Sequence, residues 1–275
     1  MLRKSFLHIP GVGPRTEQSL WQAGMSDWDT CRQKRAEIHP RTRKKVFHWL
    51  EKSQCALDRQ DAWFFSELLP ANQLWRIYPE FKHRCLFLDI ETTGLGSPDD
   101  HVTTIATFDG RALRTFVHGQ NLQDFPDHIN SFDLIVSYNG KCFDIPFLDR
   151  EFGGLGLRAA HIDLRYVLRQ LGYSGGLKAC ERALKLDRPR SLQSVDGFLA
   201  VLLWQEHLNG SPRALESLLC YNAHDAVNLR WLLQRAYNMA VGAMPIKVKP
   251  LAVESAPAIE FRADARLIKS LLRWT

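Results

Sequence analysis

The sequence predicts an α/β fold: a mixed β-sheet flanked by helices, preceded by a small all-helical unit. Three observations predict it. Apolar runs of strand length open the main body, and two of them are split by Asp109-Gly110, a hairpin dipeptide. Beyond about residue 164, apolar residues recur at three-to-four spacing, the helical period. Strands first, then mainly helices, suit a mixed sheet with helices on its faces. Residues 1–55 carry helical patterning alone.

In chain order, "RCLFLDIETT" (84–93) is an apolar, β-forming run that reads as a buried strand. "HVTTIATFDG" and "RALRTFVHG" read as a hairpin. A polar segment with Pro126 leads to "FDLIVSYNG", an apolar strand ending at Asn-Gly, and "AHIDL" is a fifth strand. Helical spacing then marks 164–171, 177–186, 196–209 and 213–240. The expected organisation is a helical unit over 1–55, a connector over 56–80, an α/β domain over 81–240 and a tail over 241–275. The connector should be ordered, because Trp63, Phe64, Phe65, Trp75 and Tyr78 are costly to leave in water. Pro245, Pro250 and Pro257 argue against regular structure early in the tail, and "ADARLIKSLLRW" reads as a short closing helix.

Hydrophobic residues make up 45% of the 275, ample for a sizeable core. The longest purely apolar run, Phe198 to Trp204, has seven residues. A bilayer span needs about 20, so no membrane partner is expected. Arg3 and Lys4 precede a short apolar patch broken by His8 and Pro10, which is no signal peptide. Six scattered cysteines without a C-x-x-C pair read as reduced thiols of a cytoplasmic protein. Residues 1–60 hold twelve Lys and Arg against six Asp and Glu, an excess equal to the +6 of the whole chain. A basic segment on a balanced body suggests a polyanion, usually nucleic acid; a solvated basic surface is the alternative.

Chemistry concentrates in three segments. In "LFLDIETTGL", Asp89 and Glu91 lie two apart on a strand and so point the same way. Two carboxylates on one face of a buried strand repel and lose solvation, which hard divalent cations with oxygen ligands relieve. In "LIVSYNGKCFDIPFL", Asp144 lies between Phe143 and Ile145, five residues after Asn139. It is a candidate site acid or the N-cap of a helix whose first turn holds Pro146, and the two roles can coexist. In "YNAHDAVNLRWLL", Tyr221 and Asp225 are four apart on one helix face. His224 is adjacent to Asp225, about 100° round the helix, and is expected to point elsewhere. His161 and Asp163 share a strand face in "AHIDL" and read as structural support.

These segments, in this order, resemble the three motifs of the DEDD (DnaQ-like) 3′–5′ exonuclease superfamily: "DIETTG", "NGKCFD" and "YNAHD". Tyrosine four residues before the last acid matches its tyrosine branch. The histidine branch requires His where this chain has Cys220. "WRIYPEF…LFLDIETTGL", "TTIATFDG…TFVHG" and "HIDL" are similar to the YprB-type ribonuclease-H-like domains of bacteria. The resemblance implies a ribonuclease-H-like fold over about 74–240 and metal ligation by Asp89, Glu91, Asp144 and Asp225. It further implies two Mg²⁺ or Mn²⁺ ions, catalysis with Tyr221 orienting the attacking water, and a nuclease acting 3′ to 5′ on single strands. A catalytically inactive nucleic-acid-binding scaffold and a structure-specific endonuclease remain as alternatives.

In the N-terminal unit, "FLHIPGVGPRTEQSLWQAG" resembles the hairpin of helix–hairpin–helix modules, which bind the DNA backbone. Gly11 and Gly13 permit a tight turn whose N–H groups can approach phosphate, and Arg15 follows in the next helix. In "HPRTRKKVFHWLEK", Arg41, Arg43, Lys44 and Lys45 can face a polyanion while Val46, Phe47, Trp49 and Leu50 turn inward. Asn139 and Lys141, in the second motif's turn, are further candidates for nucleic-acid contact. Single-stranded DNA is the favoured substrate and RNA the other.

Overall fold

The structure is a computed structural model describing residues 1–273, without the side chain of Arg41. Trp274, the last residue of the expected closing helix, lies outside the described residues.

The N-terminal unit holds α1 (Pro14–Gln22), α2 (Trp28–Gln33) and α3 (Pro40–Asp58). Pro14 supplies a preset φ at the first position of α1. A reciprocal capping box starts α2: Thr30 N–H donates to Asp27 Oδ1 at 2.8 Å, and Asp27 N–H donates to Thr30 Oγ1 at 3.0 Å. Helix α3 runs past residue 55 to Asp58. The connector contains α4 (Ala62–Ser66), a 3₁₀ segment (Ala71–Ile77) and α5 (Tyr78–Phe81). Phe65, Trp75 and Tyr78 are buried, but Trp63 is 36% exposed, against the expectation for all five aromatics. Consecutive residues on a helix turn by about 100°, so a short helix cannot bury Trp63, Phe64 and Phe65 against one neighbour.

Five strands form one sheet: β1 (Cys85–Thr92), β2 (Val102–Phe108), β3 (Leu113–Val117), β4 (Leu134–Ser137) and β5 (Ala160–Asp163). Their order is β3-β2-β1-β4-β5. The β1–β2 and β2–β3 pairs are antiparallel, and β1–β4 and β4–β5 are parallel. This is the predicted mixed sheet, with β1 at its centre. The polar segment around Pro126 contains α6 (Phe125–Ile129), and α7 (Asp144–Glu151) follows the second motif. Then come α8 (Leu164–Gln170), α9 (Leu177–Ala183), α10 (Gly197–Leu208), α11 (Pro212–Gly242) and, after an irregular stretch, α12 (Ala265–Leu271).

Alternation on β1 separates two cores. Leu86, Leu88 and Ile90 pack with Phe125 and Ile129 of α6 and Phe147 and Leu148 of α7. Phe87, on the other face, belongs to a core with Val227, Leu229 and Leu232 of α11. Asp89 and Glu91, in phase with Phe87, therefore face α11. The same core continues into the N-terminal unit through Leu2, Phe6, Trp28 and Phe65. A buried ion pair joins α1 to the connector: Arg76 Nη1 lies 2.9 Å from Glu17 Oε1, which also accepts from the N–H groups of Phe6 and Leu7. No helix among the described residues is long and apolar enough to cross a membrane. All six cysteines are free.

Candidate metal centre

The centre is built where β1 meets α11. One carboxylate oxygen from each of Asp89, Glu91 and Asp225 lies within 4.8 Å of the other two. Strand alternation supplies the first pair, and α11 brings Asp225 across the same face. Burial, then the charge of Asp225, pushes both Asp89 and Glu91 well above the usual carboxylate range. Hard oxygen donors crowded this closely are a donor set that a hard divalent cation such as Mg²⁺ or Mn²⁺ fits.

Asp144 lies outside that trio but close enough that its charge raises Asp89 and Glu91 further. It is the first residue of α7, and Phe143 is the N-cap. The expected N-cap position is corrected: Asp144 stands one residue inside the helix, after Phe143. Its carboxylate meets its own backbone amide at the helix start and the amide of Ile90, between the two β1 acids. Burial pushes it up to about 7.

The second-motif turn is close-packed. A Cβ on Gly140 would lie 2.1 Å from Ser137 Oγ, so that position requires glycine. Asn139 takes a left-handed φ of 66°. Asp163 clamps the turn, accepting from the N–H groups of Asn139 at 2.8 Å and Lys141 at 3.1 Å while capping α8 through Arg165 N–H. His161 bonds Ser137 Oγ at 2.8 Å. Both residues sit as the structural support expected of them. Lys141 is exposed.

Tyr221 is buried beside the acids, and burial followed by the charges of Asp225, Glu91 and Asp89 keeps its phenol protonated. His224 turns back on its own helix, donating through Nδ1 to the Cys220 carbonyl at 2.7 Å.

Three residues at the centre escaped the sequence reading. Asn222 Nδ2 donates to Asp89 Oδ2 at 2.7 Å, and its own Oδ1 accepts from Thr104 Oγ1 at 3.1 Å. Its signal was present, since it stands three residues before Asp225 on one helix face. Arg188, 9% exposed, forms ion pairs with Asp225 and Glu181. Glu181 is held in turn by Asn228 Nδ2 at 2.8 Å. Lys178 Nζ lies 4.5 Å from the Tyr221 ring centroid. Arg188 belongs to an irregular segment and Lys178 to a short helix, and neither carries a pattern that reveals it.

The predicted N-terminal contacts belong to the turn before α1, to α1 and to α3. Gly11 has φ 87°, and Lys45 Nζ would stand 3.1 Å from a Cβ added there. Arg15, Lys44 and Lys45 are exposed, and Gly13 caps α1. Arg43 departs from its expected outward role. Its guanidinium donates to the carbonyls of Ile38 and Ala36 in the segment leading into α3. Val46 and Leu50 are buried and Phe47 and Trp49 partly so, as expected.

A mixed sheet in 3-2-1-4-5 order with carboxylates on its central strand and on the helix crossing it defines a ribonuclease-H-like protein. Residues 86–237 match the RNase_H_2 family of the RNase_H superfamily, and the chain belongs to that family. No curated protein matches it. The chain is similar to a solved structure of the family B DNA polymerase from the hyperthermophilic archaeon Pyrobaculum calidifontis, with 21% identity and a TM-score of 0.44. That likeness covers 58% of this chain and 26% of the polymerase chain.

Proposed function

We propose that the protein is a metal-dependent nuclease hydrolysing phosphodiester bonds, acting 3′ to 5′ on single-stranded DNA. One observation carries the reading: Asp89, Glu91 and Asp225, far apart in sequence, meet within 4.8 Å. These three would hold divalent cations, with Asp144 serving a second ion. Paired cations supply an activated water and neutralise charge at phosphorus and at the leaving oxygen. Asn222 fixes the Asp89 rotamer through its amide. Tyr221, kept a phenol, is a hydrogen-bond donor that orients water rather than a base. Lys178 and Arg188 place positive charge beside the acids, where a phosphate would lie. In this reading residues 1–55, packed on the same core as the sheet, form a nucleic-acid-holding module through the Gly11–Gly13 turn, Arg15, Lys44 and Lys45.

The test digests end-labelled single- and double-stranded DNA and RNA with Mn²⁺, comparing the wild type with Asp89→Ala. Shortening from the 3′ end by the wild type alone is the expected result. Equal activity in Asp89→Ala would refute the site. A second reading, an inactive nucleic-acid-binding scaffold, is favoured by the Arg188–Asp225 ion pair, which compensates one acid internally. Under it the protein binds strands and cleaves none at any Mn²⁺ concentration.

A further inference from the structure

Beside the second-motif turn lies a cavity of about 720 Å³. Tyr138 and Asn139 line it from the end of β4, Arg165 and Arg169 from α8, and Tyr173 and Gly176 from the loop leading into α9. No carboxylate is among its lining residues. Arg165 and Arg169 are four apart and share a face of α8. Arg165 Nη1 donates to Asn139 Oδ1 at 2.5 Å, which ties one guanidinium to the turn that positions Asp144. Arg169 is exposed and makes no ion pair or side-chain hydrogen bond with a described residue. The Tyr138 hydroxyl lies 3.6 Å from Cys180 Sγ on α9. Two residues beyond Gly176, the chain delivers Lys178 to Tyr221 at the acid cluster.

We propose that this cavity receives one nucleotide of a single strand running to the acid cluster, its phosphate between Arg165 and Arg169 and its base against Tyr173. The inference rests on the nuclease reading and specifies the substrate as unpaired at the site. The volume falls in the range of about 300–1,000 Å³ typical of ligand pockets. Guanidinium forks match phosphate oxygens, and aromatic rings accept any unstacked base. A base in a duplex is already stacked and cannot enter without being pulled out.

Anisotropy of a labelled oligothymidylate, and of a blunt duplex of equal length, is measured in EDTA with the full chain. The variants are Arg169→Ala, Arg169→Lys and Tyr173→Ala. Arg169→Ala should weaken single-strand binding about tenfold. It should also flatten the slope of log K against log salt by about 0.7, one phosphate contact, while Arg169→Lys preserves the slope. Tyr173→Ala should weaken binding at least about fivefold with the slope unchanged. Duplex binding should not move in any variant. Wild-type single-strand affinity in both alanine variants would overturn the assignment, as would equal losses on single strand and duplex. If the binding pattern holds but the wild type cleaves nothing, the nuclease reading fails and the cavity stands. If cleavage depends on Asp89 while these variants bind normally, only the cavity assignment fails.

Discussion

Replacing Asp89 by Asn should stabilise the protein while abolishing its response to metal. Ligand oxygens of Asp89, Glu91 and Asp225 lie within 4.8 Å of one another. At an effective dielectric constant of about 20, two unit charges at that separation repel by about 3.5 kcal/mol. Protonation of the raised carboxyls and the positive charge of Arg188 and Lys178 relieve part of this, so about 1–3 kcal/mol is the expected gain. Asn retains an oxygen to accept from Asn222, so the substitution removes charge without orphaning its neighbour. For a chain of this size each kcal/mol moves Tm by about 2–4 °C. The variant in EDTA at about pH 8, well above the ordinary carboxylate range, should therefore melt several degrees above the wild type. Mn²⁺ at a hundred times its Kd should add about 2.7 kcal/mol to the wild type and nothing to the variant. Thermal melts with and without Mn²⁺ read both effects. A variant no more stable than the wild type in EDTA, together with a wild type indifferent to Mn²⁺, would refute both the crowding and its relief by cations.

Asp144 sets a pH dependence. Its carboxyl moves from 3.8 to about 7 on folding, so its contribution to stability is full below 3.8 and lost as pH rises through about 7. In EDTA the wild type should thus lose stability relative to Asp144→Asn across that window, by at most about 4 kcal/mol, and parallel Tm curves would reject the shift. Glu17→Ala leaves Arg76 charged and buried and should cost about 3–5 kcal/mol in urea denaturation, with Glu17→Gln losing less; a cost under about 1 kcal/mol would show that the pair is not buried in solution. Gly140→Ala forces a Cβ to 2.1 Å from Ser137 Oγ, so both stability, by about 1–3 kcal/mol, and Mn²⁺ affinity by calorimetry should fall. Unchanged values for that variant would mean the turn has room.

Much of the fold was readable because its signals are local. The alternation in "LFLDIETT" placed Asp89 and Glu91 on one face, and "YNAHD" placed Tyr221 and Asp225 on one turn of helix. Backbone periodicity imposes both wherever the elements pack. The hairpin at Asp109-Gly110 and the five strands followed from the same rules. Trp63 was misjudged because composition says how costly exposure is, while helix geometry says which of three adjacent rings must bear it.

The sequence by itself determined the five strands, the helices after residue 164, the carboxylates and the faces they occupy, since these depend on residues within a few positions of one another. Only the tertiary structure decided that Asp225 crosses β1 opposite Asp89 and Glu91 and that Asn222, 133 residues from Asp89, holds it by hydrogen bond. It alone placed Arg188 among the acids and joined the helical unit to the sheet in one core. Contacts between distant residues form only where packing makes the layers adjacent. Their strength comes from burial and low local dielectric, which no local pattern encodes.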